Sequence, residues 1–120
     1  MSLFEPVQMI GNLLTNIDTT LSRDDFKASD PRWQHLYALR KHLDDQQRAL
    51  VASSSINPAP ETYAAFTAQV LAANNLVSGA MYEPQRINEA IDQVAKATAS
   101  IDNLLSYVEP GPKDQPVRRR

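Results

Sequence analysis

Both histidines of this sequence stand in one short segment, DPRWQHLYALRKHLDD, which covers residues 30–45 and also holds the single tryptophan. His35 and His42 are seven residues apart, which is about 10.5 Å along a helix axis. Because nitrogen ligands lie about 2 Å from a zinc ion, these two imidazoles cannot ligate one ion. The adjacent Asp44 and Asp45 point about 100° apart on a helix, so they do not share a proton as a catalytic carboxylate pair does. The segment therefore predicts neither a two-histidine metal clip nor an acid–base dyad.

Two weaker possibilities involve the same residues. His42 and Asp45 are three residues apart and could supply two metal ligands from one helix face. An enzyme using His35 or His42 with a carboxylate would need a pocket formed with another helix. We favour a solvated helix flank with local ion pairing, because both histidines lie at the shoulder of an apolar stripe. With no cysteine and three isolated glycines, we expect no catalytic site, no metal and no cofactor.

The segment belongs to the second of four helices that the sequence predicts. Ser29 or Asp30 acts as its N-cap, and Pro31 takes the first helical position, where proline is favoured. The helix is expected to continue to about Ser53, with an apolar stripe centred on Leu36.

Two polar side chains, Arg40 and Gln47, lie near that apolar stripe. In one interpretation their stems cover the edge of a wide apolar face while their heads stay in water. In the other they form a polar seam whose contacts select the helix register or a partner. The sequence leaves both interpretations open.

The remaining helices follow from apolar spacing and from the positions of proline. The first is predicted over residues 2–21, where Ser2 and Glu5 form a capping box. The third is predicted over residues 60–81, after a connection rich in serine and proline.

Pro84 opens the fourth helix, whose apolar stripe runs from Ile87 to Val108 at spacings of three and four. The short break before Pro84 implies an antiparallel hairpin with the third helix. Strand signals are nearly absent. The fold class is therefore predicted to be all-α, a four-helix up-down bundle made of helical hairpins.

The third helix is unusual because no charged residue occurs between Glu61 and Glu83. One side carries large apolar residues such as Phe66, and roughly the opposite side carries small ones. A helix that is apolar on both sides lies between two layers of its own domain, or it faces another copy or a partner. Asn74 and Asn75 would orient such a partner through hydrogen bonds. The predicted partner interface consists of Ala65, Ala68, Leu71, Ala72, Asn75, Leu76 and Gly79.

Charge divides the chain into a body and a tail. Residues 1–108 hold eight basic and twelve acidic side chains, whereas residues 109–120 hold four basic and two acidic ones. We expect 1–108 to form one helical-bundle domain and 109–120, which is rich in proline, to form a disordered, flexible basic tail.

Several classes of partner are disfavoured. The three terminal arginines lack interleaved aromatic residues, so we expect no nucleic-acid partner. Polar residues in the third helix argue against stable membrane insertion. No signal peptide is visible, so we expect a cytoplasmic protein, with secretion independent of a signal peptide left open.

By elimination, the sequence predicts a non-enzymatic protein–protein interaction module. It would be a small helical adaptor, chaperone or assembly subunit that binds a protein partner or forms a homo-oligomer through the third helix. The alternative is an acidic inhibitor of immunity or antitoxin type. In that alternative Asp24, Asp25, Asp44 and Asp45 would cap the basic site of a partner enzyme.

Overall fold

The computed structural model describes residues 3–110, with side chains for residues 3–108, and its architecture is an all-α bundle. The four helices are α1 (Phe4–Leu21), α2 (Pro31–Ala52), α3 (Pro60–Tyr82) and α4 (Ile87–Leu105). The shorter elements of the described chain are the 3-10 turn Pro84–Arg86 and the strands β1 (Ser53–Ile56) and β2 (Val108–Pro110). The predicted fold class is confirmed.

Each helix packs mainly against two of the other three, in the cyclic order α1, α2, α4, α3. The pairs α1–α2 and α3–α4 are hairpins, as their short connections require. Helices α1 and α3 are parallel, because the Glu5–Tyr63 and Asn16–Asn74 hydrogen bonds both join residues 58 apart in sequence. Helices α2 and α3, although consecutive, therefore lie diagonally across the bundle and are joined through β1.

One apolar stripe from each helix forms the core. Leu36, Leu43 and Leu50 of α2 are fully buried and seven residues apart, so they return to the same helix face. Helix α4 is the most buried, with nine of its 19 residues inside, whereas α3 buries five of 23. Helix α3 is therefore not sandwiched between two layers of this domain.

The start of α2 follows the sequence prediction. Asp30 Oδ1 accepts a hydrogen bond from the Arg32 amide at 2.8 Å, and Pro31 is the first helical residue. At the other end, the Ser53 hydroxyl donates to the Ala49 carbonyl at 2.8 Å. Serine side chains compete in this way for helical carbonyls, so the serine run ends α2 and continues as β1.

The two strands are a correction to the sequence prediction. Val108, which the apolar stripe places in the fourth helix, lies in β2 opposite Ile56 of β1. Helix α4 ends earlier because the Ser106 amide and hydroxyl both donate to the Asn103 carbonyl, at 3.3 and 2.7 Å. The apolar pattern continues past the helix end because Ile56 and the strand pair also close the core.

Two predictions fall on the ends of the chain. Ser2 lies outside the described residues, and α1 begins after Leu3 without a side-chain cap. Of the predicted tail, residues 109 and 110 form part of β2, and residues 111–120 lie outside the described residues.

Candidate interaction surface on the third helix

Three sides of α3 are occupied by contacts within the chain. The core side consists of the buried residues Phe66, Val70, Ala73, Val77 and Ala80. On one flank Asn16 of α1 donates to Asn74 Oδ1 at 2.5 Å and to Ser78 Oγ at 3.3 Å. On the other flank Gln93 of α4 donates to Gln69 Oε1 at 2.5 Å. The side opposite the core is not covered by another helix of residues 3–110.

The residues predicted as a partner interface lie on or beside this open side, which we call the outer α3 face, and one of them, Leu76, also packs against the core. The exposed members are Ala65, Ala68, Leu71 and Asn75, and the half-buried members are Ala72, Leu76 and Gly79. Leu71 keeps 50% of its surface exposed, although leucine is usually buried. Asn74 is engaged by Asn16, so only Asn75 of the two asparagines is exposed for a partner.

Charged side chains stand at the two ends of the outer α3 face. At the N-terminal end the exposed Glu61 carboxylate forms no ion pair with side chains of residues 3–108. At the other end Arg86 donates to Glu83 at 3.1 Å and to Glu89 at 3.3 Å, and these bonds raise the pKa of Arg86, Glu83 contributing most. The Arg86 Nη1 atom lies 3.7 Å from the place that a Cβ on Gly79 would take. Arg86 therefore reaches onto the outer face.

A groove of about 280 Å³ lies at the Glu61 end, between the start of α3 and the end of α4. Its lining residues are Glu61, Thr62, Ala65, Ser100, Asn103, Ser106 and Tyr107. Glu61 supplies the negative charge, and the terminal carbonyls of α4 add partial negative charge. The groove therefore suits a cation that carries several hydrogen-bond donors. Ala65 also belongs to the outer α3 face, so the two surfaces are continuous.

The predicted polar seam joins α2 to α1. Arg40 donates to both carboxylate oxygens of Asp18, at 2.9 and 3.2 Å, and this hydrogen bonding raises the pKa of Arg40. Gln47 Nε2 donates to the Val7 carbonyl at 3.0 Å. Gly11 leaves room for it, because a Cβ there would lie 3.1 Å from Gln47 Nε2. Arg40 and Gln47 thus both form hydrogen bonds to α1 of the same chain.

The two histidines are exposed and lie apart from the two grooves found among the described residues. His42 Nε2 lies 3.6 Å from Asp102 Oδ2 of α4, and both side chains are at least half exposed. Neither the groove at Glu61 nor the smaller one beside Arg23 is lined by a histidine. In the part of the chain that the structure describes, no group of three or more histidine and carboxylate side chains could hold a metal ion.

The four aspartates of the inhibitor alternative form two separate groups. Asp24 and Asp25 lie in the connection between α1 and α2, whereas Asp44 and Asp45 lie in the second half of α2. Asp25 and Asp44 are each paired with an arginine, at 2.7 and 3.0 Å. They do not form one continuous acidic patch.

Comparison with known proteins gives no match to a family model, a curated protein or a solved structure. Within residues 3–110, no helix combines the length and the apolar character that crossing a bilayer requires. The function is therefore inferred from the surface of the chain itself.

Proposed function

We propose that this chain is a non-enzymatic protein–protein interaction module that self-associates through the outer α3 face. The observation that supports this is the exposure of the face after the other three helices have packed. Leu71 remains 50% exposed, and no charge occurs between Glu61 and Glu83. Contiguous exposed apolar surface on a small protein marks an interaction site. Small residues also let a second helix approach to the short end of the usual 8–10 Å range.

The size of the face predicts a weak complex. Helix α3 has 23 residues, so it is about 35 Å long, and a helix is about 10 Å wide. One face thus offers roughly 350 Å² per copy, against about 800 Å² per partner in a standard interface. Association must also offset about 4 kcal/mol or more of lost translational and rotational freedom. The expected behaviour is concentration-dependent association in the micromolar range or weaker, as for an adaptor, chaperone or assembly subunit.

The inhibitor alternative gains less support from the surface. Its aspartates lie in two groups, and Asp25 and Asp44 are already paired with arginines. An acidic cap would bind through charge, so its association would weaken steeply with salt. Association through an apolar face would persist as salt is raised.

Light scattering coupled to size-exclusion chromatography tests the proposal. Loading concentration should be varied from low micromolar to near millimolar, at low and high salt. The expected result is a mass that rises with concentration at both salt levels. Ala72→Glu should abolish that rise, because it places a charge in the centre of the face. Ala38→Glu, on the exposed side of α2, is the matched control and should behave as the natural chain. A monomer at every concentration, or equal effects of the two variants, would refute self-association through α3.

A further inference from the structure

The helix ends at one end of the bundle carry acidic side chains. Helices α1 and α3 begin at this end and α2 and α4 finish there, because α1 and α3 are parallel and each forms a hairpin with the helix after it. The first turns of α1 and α3 contain Glu5 and Glu61, and Asp102 lies in the last turn of α4. These four described turns contain no basic residue, so this end of the bundle attracts positive charge.

The last described residue lies at this same end. Pro110 is in β2 opposite Ser53, which directly follows α2. The sequence that follows, residues 111–120, holds four basic side chains and one acidic one. A basic segment is therefore tethered to the end of the bundle where the helix ends are acidic.

The groove beside Glu61 lies within reach of that basic segment. Neighbouring helices are about 8–10 Å apart, so the end of α2 and the start of α3, which are diagonal, are separated by about 11–14 Å. Arg118 is eight residues beyond Pro110, and eight residues can span up to about 26 Å. Arg118 and the two arginines after it can therefore reach the groove from β2.

The groove has the groups that bind an arginine side chain. The Glu61 carboxylate is exposed and forms no ion pair with side chains of residues 3–108, and the described lining of the groove includes no basic side chain. Asn103 and Ser106 supply further oxygen acceptors. A guanidinium presents five N–H donors in one plane and can pair with a carboxylate through two parallel hydrogen bonds.

We infer that this groove is the docking site of the chain's own basic C-terminal segment, residues 113–120, and that an arginine of this segment pairs with Glu61. An exposed ion pair between separate molecules is weak. The covalent connection through β2 keeps the segment at an effective concentration of about millimolar, which lets a weak contact form. This inference goes beyond the proposed function and does not depend on it.

A nitroxide spin label on the segment measures this contact. The natural chain has no cysteine, so Gln115→Cys gives a single labelling site. In the dilute full chain, the label should broaden the amide NMR signals of Thr62 and Asn103 more than that of Ala49. Ala49 is exposed and contacts Ser53 near β2, so a segment with no docking site would broaden Ala49 at least as strongly.

Two carboxylates at the same end of the bundle give a matched pair of variants. Glu61→Gln should reduce the broadening at Asn103 by about two-fold or more, because it removes the charge with which the arginine pairs. Glu5→Gln removes a charge in the first turn of α1, outside the groove, and should leave the broadening nearly unchanged. The amide spectrum of each variant without the label shows whether the bundle is intact.

Salt provides a second measurement on the natural sequence around the label. Raising the salt concentration from about 0.1 M to about 1 M shortens the Debye length from about 10 Å to about 3 Å. The broadening at Thr62 and Asn103 should therefore decrease. Broadening that is independent of salt would contradict docking through an ion pair.

Three further results would overturn the inference. Broadening of Ala49 as strong as that of Asn103 would show that the segment does not favour the groove. Equal effects of Glu61→Gln and Glu5→Gln would leave only a general attraction between charges. Broadening in a mixture of isotope-labelled natural chain and spin-labelled Gln115→Cys chain would assign the contact to a second copy. The dependence of mass on concentration tests the proposed function separately.

Discussion

The guanidinium of Arg23 donates a hydrogen bond to the main-chain oxygen of Ala80 at 3.2 Å. Because Arg23 lies in the connection between α1 and α2, this connection caps the C-terminal end of α3. The same group also donates to the Met81 carbonyl. Asp25 holds the guanidinium through two bonds, at 2.8 and 2.7 Å. The last carbonyls of a helix have no hydrogen-bond donor within the helix, and they carry partial negative charge. An arginine supplies both the missing donors and a positive charge.

Removing this arginine should destabilise the bundle. Arg23→Gln is expected to lower the thermal unfolding midpoint by several degrees, because the final carbonyls of α3 lose a charged donor. Asp25→Asn should have a smaller effect, since Arg23 still reaches α3. Arg48→Gln is the control, because Arg48 is 77% exposed and pairs with Asp44 on a single helix. If circular dichroism gives equal midpoints for Arg23→Gln and Arg48→Gln, the capping role is wrong.

Low pH should destabilise the connection between α1 and α2. The hydrogen bond from Arg23 lowers the pKa of Asp25, and the bonds from the Arg32 side chain and amide lower the pKa of Asp30. A carboxyl group whose pKa is lower in the folded state adds stability above its unfolded pKa, near 3.9, and this stability is lost as pH falls through the folded value. The temperature of the unfolding midpoint should therefore decrease as the pH is lowered below about 4.

Carbon-detected NMR titration of the aspartate carboxyls measures both values directly. Asp25 and Asp30 should each titrate below the ordinary aspartate value, near 3.9. The variant with Asp25→Asn and Asp30→Asn should show a flatter dependence of the unfolding midpoint on pH. Titration of both groups at the ordinary aspartate value would contradict the prediction.

The buried Gln46 should be replaceable by an apolar residue. Its Nε2 donates to the Thr98 carbonyl at 2.9 Å and to Asp102 Oδ1 at 2.8 Å, but its Oε1 has no partner among the described residues. An unpaired buried acceptor costs about 1–3 kcal/mol. Gln46→Leu removes that cost and retains most of the volume, so the free energy of unfolding should change by less than about 1 kcal/mol or rise.

Urea unfolding followed by the fluorescence of Trp33 gives this free energy. Gln46→Ala is the companion variant, and it should lower stability by roughly 2 kcal/mol because it leaves a cavity. If Gln46→Leu instead lowers the free energy of unfolding strongly, the two Nε2 hydrogen bonds stabilise the bundle more than the unpaired Oε1 destabilises it.

Truncation of two leucines, Leu43 and Leu71, should lower the stability of the bundle by very different amounts. Leu43 is fully buried in α2, so Leu43→Ala should lower the free energy of unfolding by about 2–5 kcal/mol. Leu71 is half exposed, so Leu71→Ala should lower it by less than about 1 kcal/mol when measured on dilute monomer. Leu71→Ala should nevertheless weaken self-association, which light scattering measures. A strong loss of monomer stability for Leu71→Ala would place this leucine in the core and remove it from the interface.

The helices follow from local rules and were therefore predictable from the sequence. Asp30 and Pro31 mark the start of α2 through cap chemistry, and the leucines at spacing seven mark its buried side. The strands were not predictable, because an apolar residue at helical spacing, such as Val108, also fits a strand that closes the core. Apolar periodicity alone does not distinguish the two.

The candidate surface was only partly predictable. A charge-free span is visible in the sequence, and it located the outer α3 face. The groove was not visible, because its lining combines the start of α3 with residues at and just beyond the end of α4, and these two segments are far apart in sequence. The sequence contained one signal for the charged end of the outer α3 face. Arg86 lies three residues beyond Glu83, where the charge-free span ends.

The parallel contact between α1 and α3 constrains the order in which the chain folds. The Asn16–Asn74 bond joins residues 58 apart, whereas the α3–α4 hairpin is local. Loop-closure entropy grows with the length of chain enclosed, so local hairpins form before distant helices dock. We therefore expect helix α1 to dock onto α3 after the α3–α4 hairpin has formed. Until it does, the flank of α3 that carries Asn74 and Ser78 is uncovered, and a folding chain exposes this flank together with the outer face.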